Sequence, residues 1–146
     1  MQQVLTASDM AAQTTKNSCT AGFVIIPGAW VSITIPPGAS QLLTARFTAL
    51  GDTGQSTAGF VGGAIEIMAG AHIFAPSTPG IWNYVVTNDT QNEFLPPVEV
   101  LDRSLVVEPG TYTITAKYCV YSSNGDPTAA FLVHRWHLTV EAAPVQ

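Results

Sequence analysis

The sequence predicts an all-β fold, an antiparallel β-sandwich of jelly-roll type with about eight strands and a polar N-terminal arm. Three observations predict it. Short runs rich in Val, Ile, Thr, Tyr and Phe recur between clusters of Pro, Gly, Asn and Asp, the punctuation of strands and turns. The clearest runs alternate apolar and polar residues with a period of two. No segment sustains the apolar period of an amphipathic helix. A chain of 146 residues fits one domain of roughly 100–150 residues.

Residues 1–18 are small and polar without alternation, and are read as an arm that frays or embraces a neighbouring subunit. Residues 19–146 form the sandwich domain. Strands are expected at 23–26, 30–35, 41–50, 60–68, 98–107, 111–121 and 129–141, with a weaker one at 81–87. In 111–121, Tyr112, Ile114, Ala116, Tyr118 and Val120 share one face, which becomes the core face because side chains two apart point the same way. In the last strand, strict alternation places Leu132, His134, Trp136, Leu138 and Val140 on one face. Phe131, Val133, Arg135, His137 and Thr139 fall on the other, leaving the first half of the strand apolar on both faces. Such a strand is central to a sandwich, or one of its faces meets a partner chain, so Phe131, Val133, Arg135 and His137 are the candidate interface.

Two stretches echo each other. Ile35-Pro36-Pro37-Gly38 and Val107-Glu108-Pro109-Gly110 both lead from one strand into the next. Pro presets φ and Gly tolerates positive φ, so each suits a tight turn. They are expected to be two β arches at one end of the sandwich. Between Met68 and Val98 the chain is loop-like and broken by Pro76, Pro79, Gly80, Pro96 and Pro97. This excursion carries Phe74, Trp82, Tyr84 and Phe94, residues of the kind found exposed. Trp82 and Tyr84 alternate, and are the candidate loop contact: for a protein interface, for a sugar ring, or folded back as a cap on the core.

Composition narrows the function. Hydrophobic residues make up 47% and charged residues 10%, against a usual charged share of roughly 25%. A solitary soluble domain needs a polar coat, so either Thr, Ser, Asn and Gln supply it or, the favoured reading, part of the surface is buried against other chains. The net charge is −5, and the five bases Lys16, Arg46, Arg103, Lys117 and Arg135 are scattered. Nucleic-acid binding requires clustered positive charge and is rejected; anionic membranes are disfavoured for the same reason. No apolar stretch approaches the ~20 residues of a spanning helix. The opening segment lacks the basic and apolar regions of a signal peptide, so the chain is expected to be assembled where it is made, or to be a mature fragment with a new Met. Cys19 and Cys119 form no framework and carry no metal spacing. They would bond if the N-terminal segment lay beside the strand carrying Cys119; two reduced, half-buried thiols are the favoured reading.

No pattern of catalytic chemistry stands out, and neither a cofactor nor an enzymatic role is expected. His134 and His137 lie three apart on a strand and should face opposite ways, with His72 distant, so convergent zinc ligands are not expected. Glu99 with Asp102, and Asp89 with Glu93, are acid pairs without a recognisable cleft. There is no nucleophile elbow, and Gly59, Gly62 and Gly63 are strand or loop glycines rather than a phosphate cradle. Asp52 or Asp126 could hold calcium in a loop, although no Asp-x-Asp loop appears, and Asn88-Asp89-Thr90 is treated as an incidental glycosylation match.

The stretch Leu105-Val106-Val107-Glu108-Pro109-Gly110-Thr111-Tyr112-Thr113-Ile114 and the close Trp136-His137-Leu138-Thr139-Val140-Glu141 resemble small jelly-roll domains of bacterial secreted proteins and of tailed-phage virions, including complement-like and tumour-necrosis-factor-like trimers. The resemblance covers about a third of the chain and implies assembly or binding without catalytic residues. The expectation is a virion structural protein: a capsid decoration protein, acting as a homo-oligomer (a trimer) on a major capsid protein. A carbohydrate-binding module using the loop aromatics on a glycan, extracellular rather than on a virion, and a tail or fibre accessory domain are the alternatives.

Overall fold

The computed structural model describes residues 3–54, 61–75, 84–88, 98–123, 125 and 127–145, and of residues 54, 84–88, 98 and 99 the backbone only. Ten strands form among them: β1 (Gln3–Asp9), β2 (Gln13–Thr15), β3 (Val24–Ile35), β4 (Gln41–Gly54), β5 (Val61–Ala69), β6 (His72–Ile73), β7 (Tyr84–Asn88), β8 (Val98–Val107), β9 (Gly110–Ser122) and β10 (Ala130–Pro144).

The pairings are nested. β1 pairs β10, β3 pairs β9, β4 pairs β8 and β5 pairs β7, all antiparallel. The chain is therefore one long hairpin rolled upon itself, with successive pairs alternating between two sheets. Contacts of β10 with β4 and of β9 with β5 close each sheet. Sheet A runs β1-β10-β4-β8, with β2 continuing β1 along β10; sheet B runs β3-β9-β5-β6, with β7 also on β5. This winding is the expected jelly roll.

Alternation sorts the side chains as the sequence indicates for β9: Ile114, Ala116, Tyr118 and Val120 are buried and Tyr112 half-buried. They meet Leu43, Ala45, Phe47 and Ala49 of β4 across the sandwich in one core. Phe47 and Trp136 stack with ring centroids 6.1 Å apart. The two Pro-Gly connections are arches between sheets, as expected, and lie at the same end. One carries β3 into β4, the other β8 into β9. The Ser40 hydroxyl donates to Glu108 at 2.7 Å, joining one arch to the other.

Four expectations change. First, the arm is part of the sandwich: β1 is the edge strand of sheet A, registered along β10 from Gln3↔Ala142 to Asp9↔Trp136. Its alternation is real, with Leu5 and Ala7 packed on the core and Val4, Thr6 and Ser8 exposed. The contrast was hidden because an inward residue is as small as alanine and an outward one is valine. Second, β10 carries a bulge. Arg135 adopts φ 51° and the register with β4 shifts between His134 and His137. One extra residue flips the faces, so Phe131 and Val133 point inward with Trp136, Leu138 and Val140. Both are 0% exposed, and the strand is apolar on one face only. Phe131 and Val133 are thus core residues, not interface.

Third, Cys19 and Cys119 are joined in a disulfide across a sequence separation of 100 residues. Segment 17–19 runs beside β9, where Cys19 N–H donates to the Val120 carbonyl and Val120 N–H to the Asn17 carbonyl, both at 2.9 Å. That is the geometry under which the two thiols were expected to meet. Fourth, Phe74 is 1% exposed and held by its N–H to the Ile67 carbonyl; it caps the core rather than facing solvent.

Candidate functional site

The outward faces of the two sheets differ in chemistry. On sheet A the rows across the strands read Ser8–His137–Thr48–Val100, Thr6–Thr139–Arg46–Asp102 and Val4–Glu141–Thr44–Ser104. These rows are rich in hydroxyls, with Val4 and Val100 exposed among them, and the next outward row, Ala143–Leu42–Val106, is apolar. A shallow groove on this face is lined by Thr44, Arg46, Asp102, Thr139 and Glu141. Arg46 Nε donates to Asp102 Oδ1 at 2.8 Å. The hydrogen bond and charge of Arg46 hold the Asp102 carboxyl below the usual carboxylate range. Both side chains are more than half exposed, so water screens the pair and it adds little stability. Arg135 and His137 are exposed on this side, Arg135 at the bulge and His137 after it.

The bulge also alters the histidine geometry. His134 and His137 pair with the outward Leu50 and Thr48 of β4, so they share the outer face instead of facing opposite ways. Among the described residues no group of three or more His, Cys, Asp or Glu gathers as a metal centre. Asp52 is exposed; Asp89, Glu93, Asp126 and the Glu99 side chain lie outside the described residues. So does Trp82, and Tyr84 is described only as the backbone that opens β7.

Sheet B presents a different outer face. Its strand register aligns Trp30 of β3, Thr115 of β9, Met68 of β5 and Ile73 of β6 in one row. The next row contains Ile25, Lys117 and Glu66. Trp30 is 54% exposed, Ile25 53% and Ile73 42%. Glu66 and Lys117 stand side by side at the centre, on the two middle strands. Burial among these neighbours pushes the Glu66 carboxyl up, and the Lys117 charge partly offsets it. One end of the face is covered by segment 16–23, where Cys19, Ala64 and Cys119 pack with Phe23 and Tyr121. At the other end Ser32, Thr34, Thr111 and Thr113 are exposed, with the Thr34 and Thr111 hydroxyls 3.1 Å apart.

Trp30 was not marked out by the sequence reading, although the signal was present. Val31, Ile33 and Ile35 are the inward series of β3, so Trp30 belongs with Ser32 and Thr34 on the outward one. A tryptophan in an outward series is the informative case, since large aromatics are usually placed inside.

No family model and no curated protein matches the chain. Among solved structures it is similar to a chain from the infectious bursal disease virus Gt strain, with TM-score 0.45 and 17% identity, covering 96% of this chain and 32% of that one. It is also similar to the infectious bursal disease virus VP2 subviral particle, with TM-score 0.40 and 12% identity, covering 99% and 37%. A third is the C-terminal CBM6 of LamC, a marine laminarinase from Zobellia galactanivorans, with TM-score 0.33 and 12% identity, covering 94% and 98%. The chain spans about a third of the length of the viral chains it matches.

Proposed function

We propose that this jelly-roll domain is a structural protein, without catalytic function, that assembles with copies of itself on the outside of a virion, as a capsid decoration protein. The observation that carries the reading is the outer face of sheet B. A chain in which charged residues are only 10% of the sequence leaves Trp30 and Ile25 exposed on one edge strand of sheet B and Ile73 on the other, with the half-buried Met68 between them. A face that carries large apolar side chains at both margins with a charged pair at its centre suits a protein contact. The Cys19–Cys119 bond fits the same reading, because disulfides persist on virion and cell surfaces and are reduced in most cytosols.

Light scattering on the purified, oxidised chain tests the assembly step. A discrete mass at an integer multiple of the chain supports it, and a monomer throughout the micromolar range rejects it. Co-sedimentation with capsid shells tests the decoration step. Binding that saturates at a fixed ratio to the shell protein supports that role, and an oligomer that stays in the supernatant rejects it.

A further inference from the structure

The face of sheet B carries more information than its exposure, because its residues are arranged to complement themselves. The four strands lie in the order β3, β9, β5, β6. A line parallel to the strands between β9 and β5 divides the face into halves. On the first half stand Trp30 and Thr115, with Lys117 in the next row; on the second stand Ile73 and Met68, with Glu66 in that next row. A half-turn about that line brings each residue over the one equally far on the other side.

We infer that two copies pack face to face through sheet B about a two-fold axis running between β9 and β5, so that Trp30 meets Ile73 of the second copy and Lys117 meets Glu66. This rests on the reading that the protein assembles with itself, and adds which surface does so and with what symmetry. The apolar row Trp30–Thr115–Met68–Ile73 then covers its own counterpart, and each central charge finds the opposite sign twice over. The pairing is isologous, so every contact is made two times. Sheets stacked in this way lie about 10 Å apart, a depth that a tryptophan and an isoleucine fill from the two sides. The hydroxyls of Ser32, Thr34, Thr111 and Thr113 form a polar rim at one end, and segment 16–23 with the disulfide bounds the other. An apolar centre with charges paired across it and a polar margin is how protein contacts are built. The centre of the face fits a second copy by charge, because each copy brings one Lys and one Glu side by side across the proposed axis. The protein is acidic overall, with net charge −5, so copies repel in most orientations, whereas this one matches Lys117 to Glu66. The contact builds a dimer, in place of the trimer expected from the sequence.

The test exchanges charges between copies. Glu66→Lys alone and Lys117→Glu alone each set like charges against one another across the axis, and each should weaken dimerisation by about tenfold or more. Mixed in equal amounts, the two variants should recover a dimer near wild-type affinity, because a Glu66→Lys chain facing a Lys117→Glu chain restores both intermolecular pairs. Within each variant chain the neighbouring charges remain alike, so a purely intrachain pair cannot be rescued by mixing. Sedimentation velocity reads the masses, and matching circular dichroism spectra establish that the variants are folded. Trp30→Ser should weaken the dimer without changing the spectrum. A wild-type trimer, or a dimer that withstands all three substitutions, would overturn this surface while leaving self-assembly in place. A wild-type monomer would overturn both.

Discussion

Gly63 of β5 lies directly against the ring of Phe131 of β10, so close that a Cβ at position 63 would overlap the ring carbons. The two residues belong to opposite sheets, and Phe131 fills the core at a point where only hydrogen faces it. Gly63→Ala should therefore destabilise the fold by about 1–3 kcal/mol, the usual cost of overpacking. A smaller residue at 131 should relieve the overlap: Gly63→Ala with Phe131→Leu should cost less than the sum of the two single changes. Chemical denaturation of the four proteins measures the coupling, and strict additivity would mean that the two sheets do not meet here.

The disulfide ties segment 16–23 to the outer face of sheet B and closes a loop with a sequence separation of 100 residues. Its main effect is to restrict the unfolded chain. The double variant Cys19→Ser, Cys119→Ser should lose about 2–5 kcal/mol. The wild type in reductant should unfold at the same denaturant concentration as that variant in the absence of reductant. A wild-type transition that reductant leaves unmoved would show that the bond contributes nothing to stability.

Arg135 holds the left-handed φ of 51° that makes the β10 bulge. A side chain with a branched Cβ is strained in that region. Arg135→Val should lower stability by about 1 kcal/mol or more, whereas Arg135→Gly should be neutral or slightly stabilising. Thermal melts of the two variants distinguish them, and equal stability would place Arg135 outside the left-handed region in solution.

Two carboxyls should respond to pH in opposite senses. Asp102 is lowered by Arg46, so its contribution to stability is present above the ordinary aspartate value and is lost as pH falls through its own. Glu66 is raised by burial, so its ionisation opposes folding, and that opposition disappears as pH falls from its raised value toward the ordinary glutamate one. Carboxyl-carbon NMR titration at concentrations where the chain is monomeric should find Asp102 titrating below, and Glu66 above, the usual carboxylate of its type. Arg46→Ala should return Asp102 upward and leave Glu66 in place.

Period-two alternation, Pro-Gly turns and the absence of helical periodicity were legible without any structure, because they reflect local backbone geometry. They sufficed for the all-β class, for most strand positions, for the core face of β9 and for the two arches at one end. The candidate surface was legible only in part. Trp30 sat in an outward series that alternation could expose, but its row with Thr115, Met68 and Ile73 depends on which strands are neighbours.

Three matters were decided by tertiary structure alone. The bulge at Arg135 reverses the two faces of β10, since one inserted residue shifts every later side chain by half a period; nothing in the local sequence marks it, and it moved Phe131 and Val133 from a surface to the core. The N-terminal segment became an edge strand because β10 offered it an unpaired row of backbone donors and acceptors, a partner far away in sequence. Cys19 met Cys119 for the same reason, through the return of a distant segment to β9. Local pattern determines what a segment becomes, whereas its partner and the face it shows depend on contacts between distant residues that only the folded chain brings together.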